Sequence, residues 1–279
     1  MKFISVTKPG IIIGNIITLC GGFFLGAQGH INVWLFIATA IGMTLVIACG
    51  CVLNNYIDRD IDQLMERTKE RVLVKGLISG KVAIVYSIVL GLSGLLLLYF
   101  GSNPLTALVA LIALLIYVVV YSLYAKRKSI YGTLIGAIAG AASPVVGYCA
   151  ATNQFDFGAV IVFLILFCWQ IPHSYAITIY RFKDYSAAGI PVLPIIKNIY
   201  ATKISMLLYI IAFALAALLP TLCGYTGFIY FVVALGVGLV WLYMALKGFS
   251  TENNYKWSRR MFTVSILNIT LLSLMMSVG

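Results

Sequence analysis

The chain has 279 residues, of which 62% are hydrophobic and 10% charged, with 19 Lys and Arg against eight Asp and Glu and a formal net charge of +11. A soluble domain of this size carries about a quarter charged residues. That composition is excluded here, and a mean hydropathy of +1.04 describes a multi-pass membrane protein.

Roughly 20 apolar residues cross the hydrocarbon core of a bilayer. Nine stretches meet that length, near 10–28, 32–54, 82–101, 104–124, 132–150, 158–179, 201–223, 226–247 and 261–278. They predict an all-α polytopic bundle of about nine transmembrane helices, with 1–279 a single domain. The first stretch is broken by glycines and followed by eight more, so it is not read as a signal peptide. The six cysteines, Cys20, Cys49, Cys51, Cys149, Cys168 and Cys223, lie in or beside apolar runs. Without a CxxC pair or a Cys/His cluster they support neither a disulfide framework nor a zinc site.

All 19 basic residues fall in loops on one side of this series, and the other side offers only Asp156 and His30. Basic loops stay cytoplasmic, which predicts an inner N-terminus and, after nine spans, an outer C-terminus. The same bias, with attraction to anionic headgroups, explains the net charge without nucleic acid.

Where the second span should leave the lipid stands NNYIDRDID. Asn54, Asp58 and Asp62 are spaced four apart and form one column on a continuing helix; Asp60 points elsewhere. Like charges at this spacing repel, so the column predicts a cation between the acids or arginines beside them. Asn54, Asp58 and Asp62 are the candidate metal ligands, since Mg²⁺ takes few protein oxygens and completes its shell with waters and substrate phosphates. In MERTKERVLVKG, Arg67 and Arg71 follow four apart, with Lys75 close by. Guanidinium groups match phosphate oxygens, and acids with arginines in one loop suit a diphosphate better than either alone.

The third span is followed by the fourth, which ends on Lys126, Arg127 and Lys128; the fifth carries Gly132, Gly136 and Gly140, a repeat that predicts close helix packing. A second polar cluster ends the sixth span, in WQIPHSYAITIYRFKDYSAAGIPVLP. His173, Ile177, Tyr180 and Asp184 fall on one helical face, and ionisable groups near membrane depth default to function. Asp58 and Asp184 emerge on the same side. Basic groups at 126–128 and 181–183, among them Lys126, Arg127, Arg181 and Lys183, are candidates for anionic substrate groups as well as topology markers.

The first motif, N54-x-x-x-D58-x-x-x-D62 with R67-T-x-x-R71, resembles that of the UbiA-type intramembrane prenyltransferases. WQIPHSYAITIYRFKDYSAAGIPVLP resembles the second motif region of the haem O synthase branch, as do VTKPGIIIGNIIT and YSLYAKRKSIYGTLIGAIAGAASPVVGY. Two departures stand out. Val72 replaces a proline common after the second arginine, and the second region lacks a D-x-x-x-D, leaving Asp184 alone. The resemblance implies a bacterial inner-membrane enzyme that joins farnesyl diphosphate, haem B and water into haem O and diphosphate. Mg²⁺ on Asn54, Asp58 and Asp62 would assist the leaving group, Arg67, Arg71 and Lys75 would hold it, and Tyr180 or Tyr121 would face the carbocation. Asp184 would join the catalytic set, His173 would contact haem, and 126–128 with 181–183 would meet its propionates. Association with a terminal oxidase or haem-handling proteins fits the same picture. A quinone-type aromatic prenyltransferase is the nearest alternative. A secondary transporter is disfavoured because its acids belong near the midplane, and a non-catalytic scaffold leaves the polar columns unexplained.

Overall fold

The computed structural model describes residues 2–278, and long helices dominate it. Nine follow in order: α1 Pro9–Ala27, α2 Val33–Ile57, α3 Gly80–Gly101, α4 Pro104–Lys128, α5 Gly132–Thr152, α6 Phe157–Tyr180, α7 Ile199–Leu222, α8 Phe228–Lys247 and α9 Asn254–Met275. The first eight are long and apolar enough to cross a membrane. The ninth, 22 residues long, is diluted by Lys256, Arg259 and Arg260 in its first turns and starts seven residues before the predicted span.

Sequence-local signals set the boundaries. Asn32, Ser79, Asn103, Asn198 and Asn253 cap α2, α3, α4, α7 and α9 by accepting a backbone N–H three residues on, which satisfies donors that lipid cannot. Asp156, alone among the acids at its end of the bundle, caps α6 through Gly158 and Ala159 and accepts from the Tyr148 hydroxyl. All six cysteines are free.

The helices form a ring in chain order, closed by α9 on α1 and braced by cross-contacts, chief among them α1 on α5 and α6 on α9, with α2 also packed on α4 and α5. Glycine makes the α1–α5 contact. A Cβ on Gly22 would stand 1.9 Å from the Pro144 carbonyl oxygen, and one on Gly147 would stand 2.1 Å from that of Leu19. Small residues let backbones approach where no hydrophobic drive exists between helices and lipid. One end of the ring gathers the start of α1 and the ends of α2, α4 and α6 with their loops, and the acid column meets its cations there.

Candidate active site

The acid column keeps its spacing through a break in the helix. α2 ends at Ile57 and a short turn, Arg59–Asp62, resumes. The Asn54 carbonyl accepts the Asp58 N–H at 2.9 Å and the Asp58 carbonyl accepts that of Asp62 at 2.8 Å. Asn54, Asp58 and Asp62 are 3%, 0% and 1% exposed. Two buried carboxylates without partners would cost several kcal/mol each, and cations from three separate segments supply them. Lys8 Nζ donates to Asn54 Oδ1 at 2.5 Å, while Asn54 Nδ2 donates to Asp58 Oδ2 at 2.8 Å and to Ser122 Oγ at 3.0 Å. Lys126 pairs with Asp58, whose other oxygen lies 3.7 Å from Arg127. Arg71 Nη1 donates to Asp62 Oδ2 at 2.5 Å. Arg59 turns away over the Tyr56 ring.

Lys8 belongs to the VTKPGIIIGNIIT stretch, but nothing in the sequence marks it as a partner of the acid column. It stands directly before the Pro9 that opens α1, in the backbone's left-handed region (φ 55°). Burial above all, then repulsion from Arg71, pulls its pKa down to about 8, which leaves it mostly protonated at neutral pH.

The last ten residues of α4's apolar run, Ile116–Ala125, form a π-helix. In an α-helix, residues five apart point about 140° away from each other. The i→i+5 pattern of a π-helix brings them into line, so Tyr117 with Ser122 and Tyr121 with Lys126 share the face toward Asn54. The Tyr117 and Tyr121 rings stack, centroids 5.7 Å apart at 24°.

Two cavities, each of about 180 Å³, meet at this wall. The first is lined by Lys8, Asn54, Asp62, Arg67, Arg71 and Lys126 among others. Its four cations face one carboxylate, with Asp58 a layer behind, which attracts a multiply charged anion. The second is lined by Ser129, Thr133, Gln170, Ser174 and Thr178 along with apolar groups, and its only charge is Lys126. Tyr117, Tyr121, Lys126, Tyr185 and Ile190 border both. The loops after α2 and α6 close over them through a small apolar core of Met65, Ala188, Ile190 and Val192.

Several predicted site residues stand elsewhere. Asp184 lines neither cavity; its Oδ1 accepts the Glu66 N–H at 3.1 Å and its Oδ2 lies 4.0 Å from Arg181, so it clips the two loops together. Its predicted continuity with His173 fails because α6 stops at Tyr180 and a separate turn, Phe182–Ala187, follows. His173 sits between α6 and α9, stacked on Trp169 and tilted against Phe262, with Nδ1 2.7 Å from Ser265 Oγ. Tyr180 packs edge-on to Tyr255 and Phe262, leaving Tyr121 as the candidate that faces the chamber. Lys75 is tied to Glu70 at 2.9 Å. Arg127 clamps Asp60, holding that carboxyl down at about 2, and also donates to the Ile57 carbonyl. Arg181 leans over Tyr180, and Lys183 is exposed.

If Asp184 holds the cap shut, Asp184→Ala is expected to raise the KM for a phosphorylated substrate about tenfold with a smaller loss of kcat, the scale of one charge-assisted hydrogen bond. Steady-state kinetics on protein in lipid checks this, and a kcat loss at unchanged KM would contradict the clip.

Among the described residues no group of three His, Cys, Asp or Glu is gathered to cage a metal. Yet Asp58 Oδ1 and Asp62 Oδ1 are buried without a hydrogen-bond partner. Two free carboxylate oxygens beside an asparagine fit a hard divalent ion that leaves most of its shell to waters and phosphate.

A helical membrane bundle with such a chamber under a loop cap defines the class, an integral membrane enzyme. The chain belongs to the UbiA prenyltransferase family, which it matches over residues 15–268, and it is a prenyltransferase. A protein named Protoheme IX farnesyltransferase, from Yersinia enterocolitica, is 59% identical over 277 residues, covering 99% of this chain and 94% of its own. Among solved structures, one of digeranylgeranylglyceryl phosphate synthase covers 98% of both chains with a TM-score of 0.78 at 18% identity. A UbiA homolog from Archaeoglobus fulgidus bound to GPP and Mg2+ covers 100% of both chains with a TM-score of 0.74 at 16% identity. At these identities the structures share the fold.

Proposed function

We propose that this protein joins the farnesyl group of farnesyl diphosphate to haem B, with water, to give haem O and diphosphate. The structural observation that carries the chemistry is the chamber in which Lys8, Arg67, Arg71 and Lys126 face Asp62, with Asp58 a layer behind and one oxygen of each acid unpartnered. The choice of acceptor is supported by the 59% identity with the Yersinia enterocolitica protein along nearly the whole chain.

The cationic wall takes the diphosphate, with Arg67 and Arg71 suited to pairs of its oxygens and the two lysines to the charge that develops on them. A divalent ion, Mg²⁺ in this reading, would be held by Asn54, Asp58 and Asp62 and would supply Lewis-acid neutralisation of the leaving group. Tyr117 and Tyr121 line both cavities, so in this reading their π systems attract the allylic carbocation as it passes between them. The Met65–Val192 cap excludes bulk water before the haem vinyl carbon attacks. The Lys and Arg excess in the loops at this end supports its lying at the cytoplasmic face of a bacterial inner membrane, with the C-terminus outside.

Purified protein in lipid, given farnesyl diphosphate, haem B and Mg²⁺, is expected to form a haem heavier by a hydroxyfarnesyl unit, seen by mass spectrometry. Unchanged haem together with prenylated 4-hydroxybenzoate would instead establish the quinone-type reading.

A further inference from the structure

The second cavity contains a polar group that the mechanism above does not use. Gln170 lies on α6 in its wall, and its Oε1 is buried with no protein partner. The amide is bedded on Gly140 of α5, where a Cβ would stand 2.2 Å from Oε1 and 2.3 Å from Nε2. One turn earlier a Cβ on Gly136 would stand 3.0 Å from the Tyr121 ring. The glycine repeat therefore does more than let helices touch, because two of its positions seat side chains that face the shared chamber. Ser174, one turn beyond Gln170 on α6, lines the same wall.

We infer that Gln170, braced by Gly140, is the positioning residue for the water that completes the reaction. The inference rests on the haem-farnesylation reading above. The terminal vinyl carbon forms a bond to C1 of the farnesyl cation, and the positive charge moves to the inner vinyl carbon beside the pyrrole. That cation has two fates. A water oxygen can add its lone pair there, giving the alcohol once its proton passes to the released diphosphate in the adjoining cavity. Alternatively, the neighbouring CH₂ loses a proton to the same acceptor and leaves an alkene. Selecting the alcohol needs a water held against the cation by a group too weakly basic to take the CH₂ proton. A neutral amide oxygen meets that requirement, and the second cavity holds no carboxylate. At about 180 Å³ it receives the reacting edge of the acceptor and a water rather than a whole macrocycle.

The test reads the product rather than the rate. Gln170→Met keeps the length of the side chain and removes its hydrogen-bonding groups. Protein in lipid, given farnesyl diphosphate, haem B and Mg²⁺, is expected to shift the alcohol-to-alkene ratio about tenfold toward the alkene, the scale of losing one hydrogen bond to the attacking water. The alkene is lighter than the alcohol by one water. Gly140→Ala, which displaces the amide without altering it, is expected to shift the ratio the same way and carries the test if Gln170→Met fails to accumulate. Product that stays entirely alcohol in these variants, at full or reduced turnover, would overturn the proposal. Absence of any farnesylated haem from the wild-type protein would instead overturn the reaction beneath it.

Discussion

Asp62→Asn is expected to lower turnover about a hundredfold or more, the scale of removing one electrostatic stabiliser from a preorganised site. The substitution keeps the shape of the side chain and removes its charge. Asp62 lines the cationic cavity, accepts from Arg71 at Oδ2 and keeps Oδ1 buried without a partner. If that oxygen is a metal ligand, the variant loses both the ion's affinity and its neutralising charge, so raising Mg²⁺ is expected to recover part of the rate. Folding should survive, because Arg71 is 24% exposed and water can solvate the freed guanidinium. Turnover and Mg²⁺ dependence, measured on variant protein that inserts normally, check the assignment, and wild-type turnover at low Mg²⁺ would sink it.

How far the sequence reaches depends on whether a signal is local. Helix lengths and the N-caps are local, so eight of nine spans lie where hydropathy puts them, and α9 departs because its basic first turns dilute its apolar face. The Asn54–Asp58–Asp62 column is also local, since i→i+4 backbone bonds fix it. What neutralises the column is only partly local. Arg71 follows Asp62 by nine residues in the same loop and is legible beside it, whereas Lys8 and Lys126 arrive from distant segments that only the folded ring brings to the column. Tyr117 and Ser122 are hidden for a different reason. Read at α-helical phase, Ser122 points about 140° from Tyr117 and Lys126 as far from Tyr121, and only the π-helix turns both pairs to one side. The opposite error carries Asp184 onto the face of His173 and Tyr180, which both meet Phe262, by extrapolating α6 past Tyr180, where the chain turns. The glycine repeat was rightly read as close packing, but its spacing cannot say that the packed groups are Tyr121 and Gln170.

Arg67 and Arg71 look equivalent in the sequence, four apart in one basic loop, and the structure separates them. Arg71 is committed to Asp62, a residue 1% exposed. Arg67 lines the same cavity, is exposed on its solvent side and has no ion pair among the described residues. A guanidinium already spent on a carboxylate holds structure as well as substrate, whereas an uncommitted one is free for phosphate oxygens. Arg67→Ala is therefore expected to cut kcat/KM about a hundredfold while leaving the thermal midpoint in detergent or lipid unchanged. Arg71→Ala should lose activity and also stability, by about 3 kcal/mol, because it strands a buried charge. Arg67→Lys should recover little, since an ammonium cannot pair two oxygens at once. Kinetics and thermal unfolding on the three variants decide the matter: a destabilised Arg67→Ala, or an Arg71→Ala as stable as wild type, would mean that the two arginines have been assigned each other's roles.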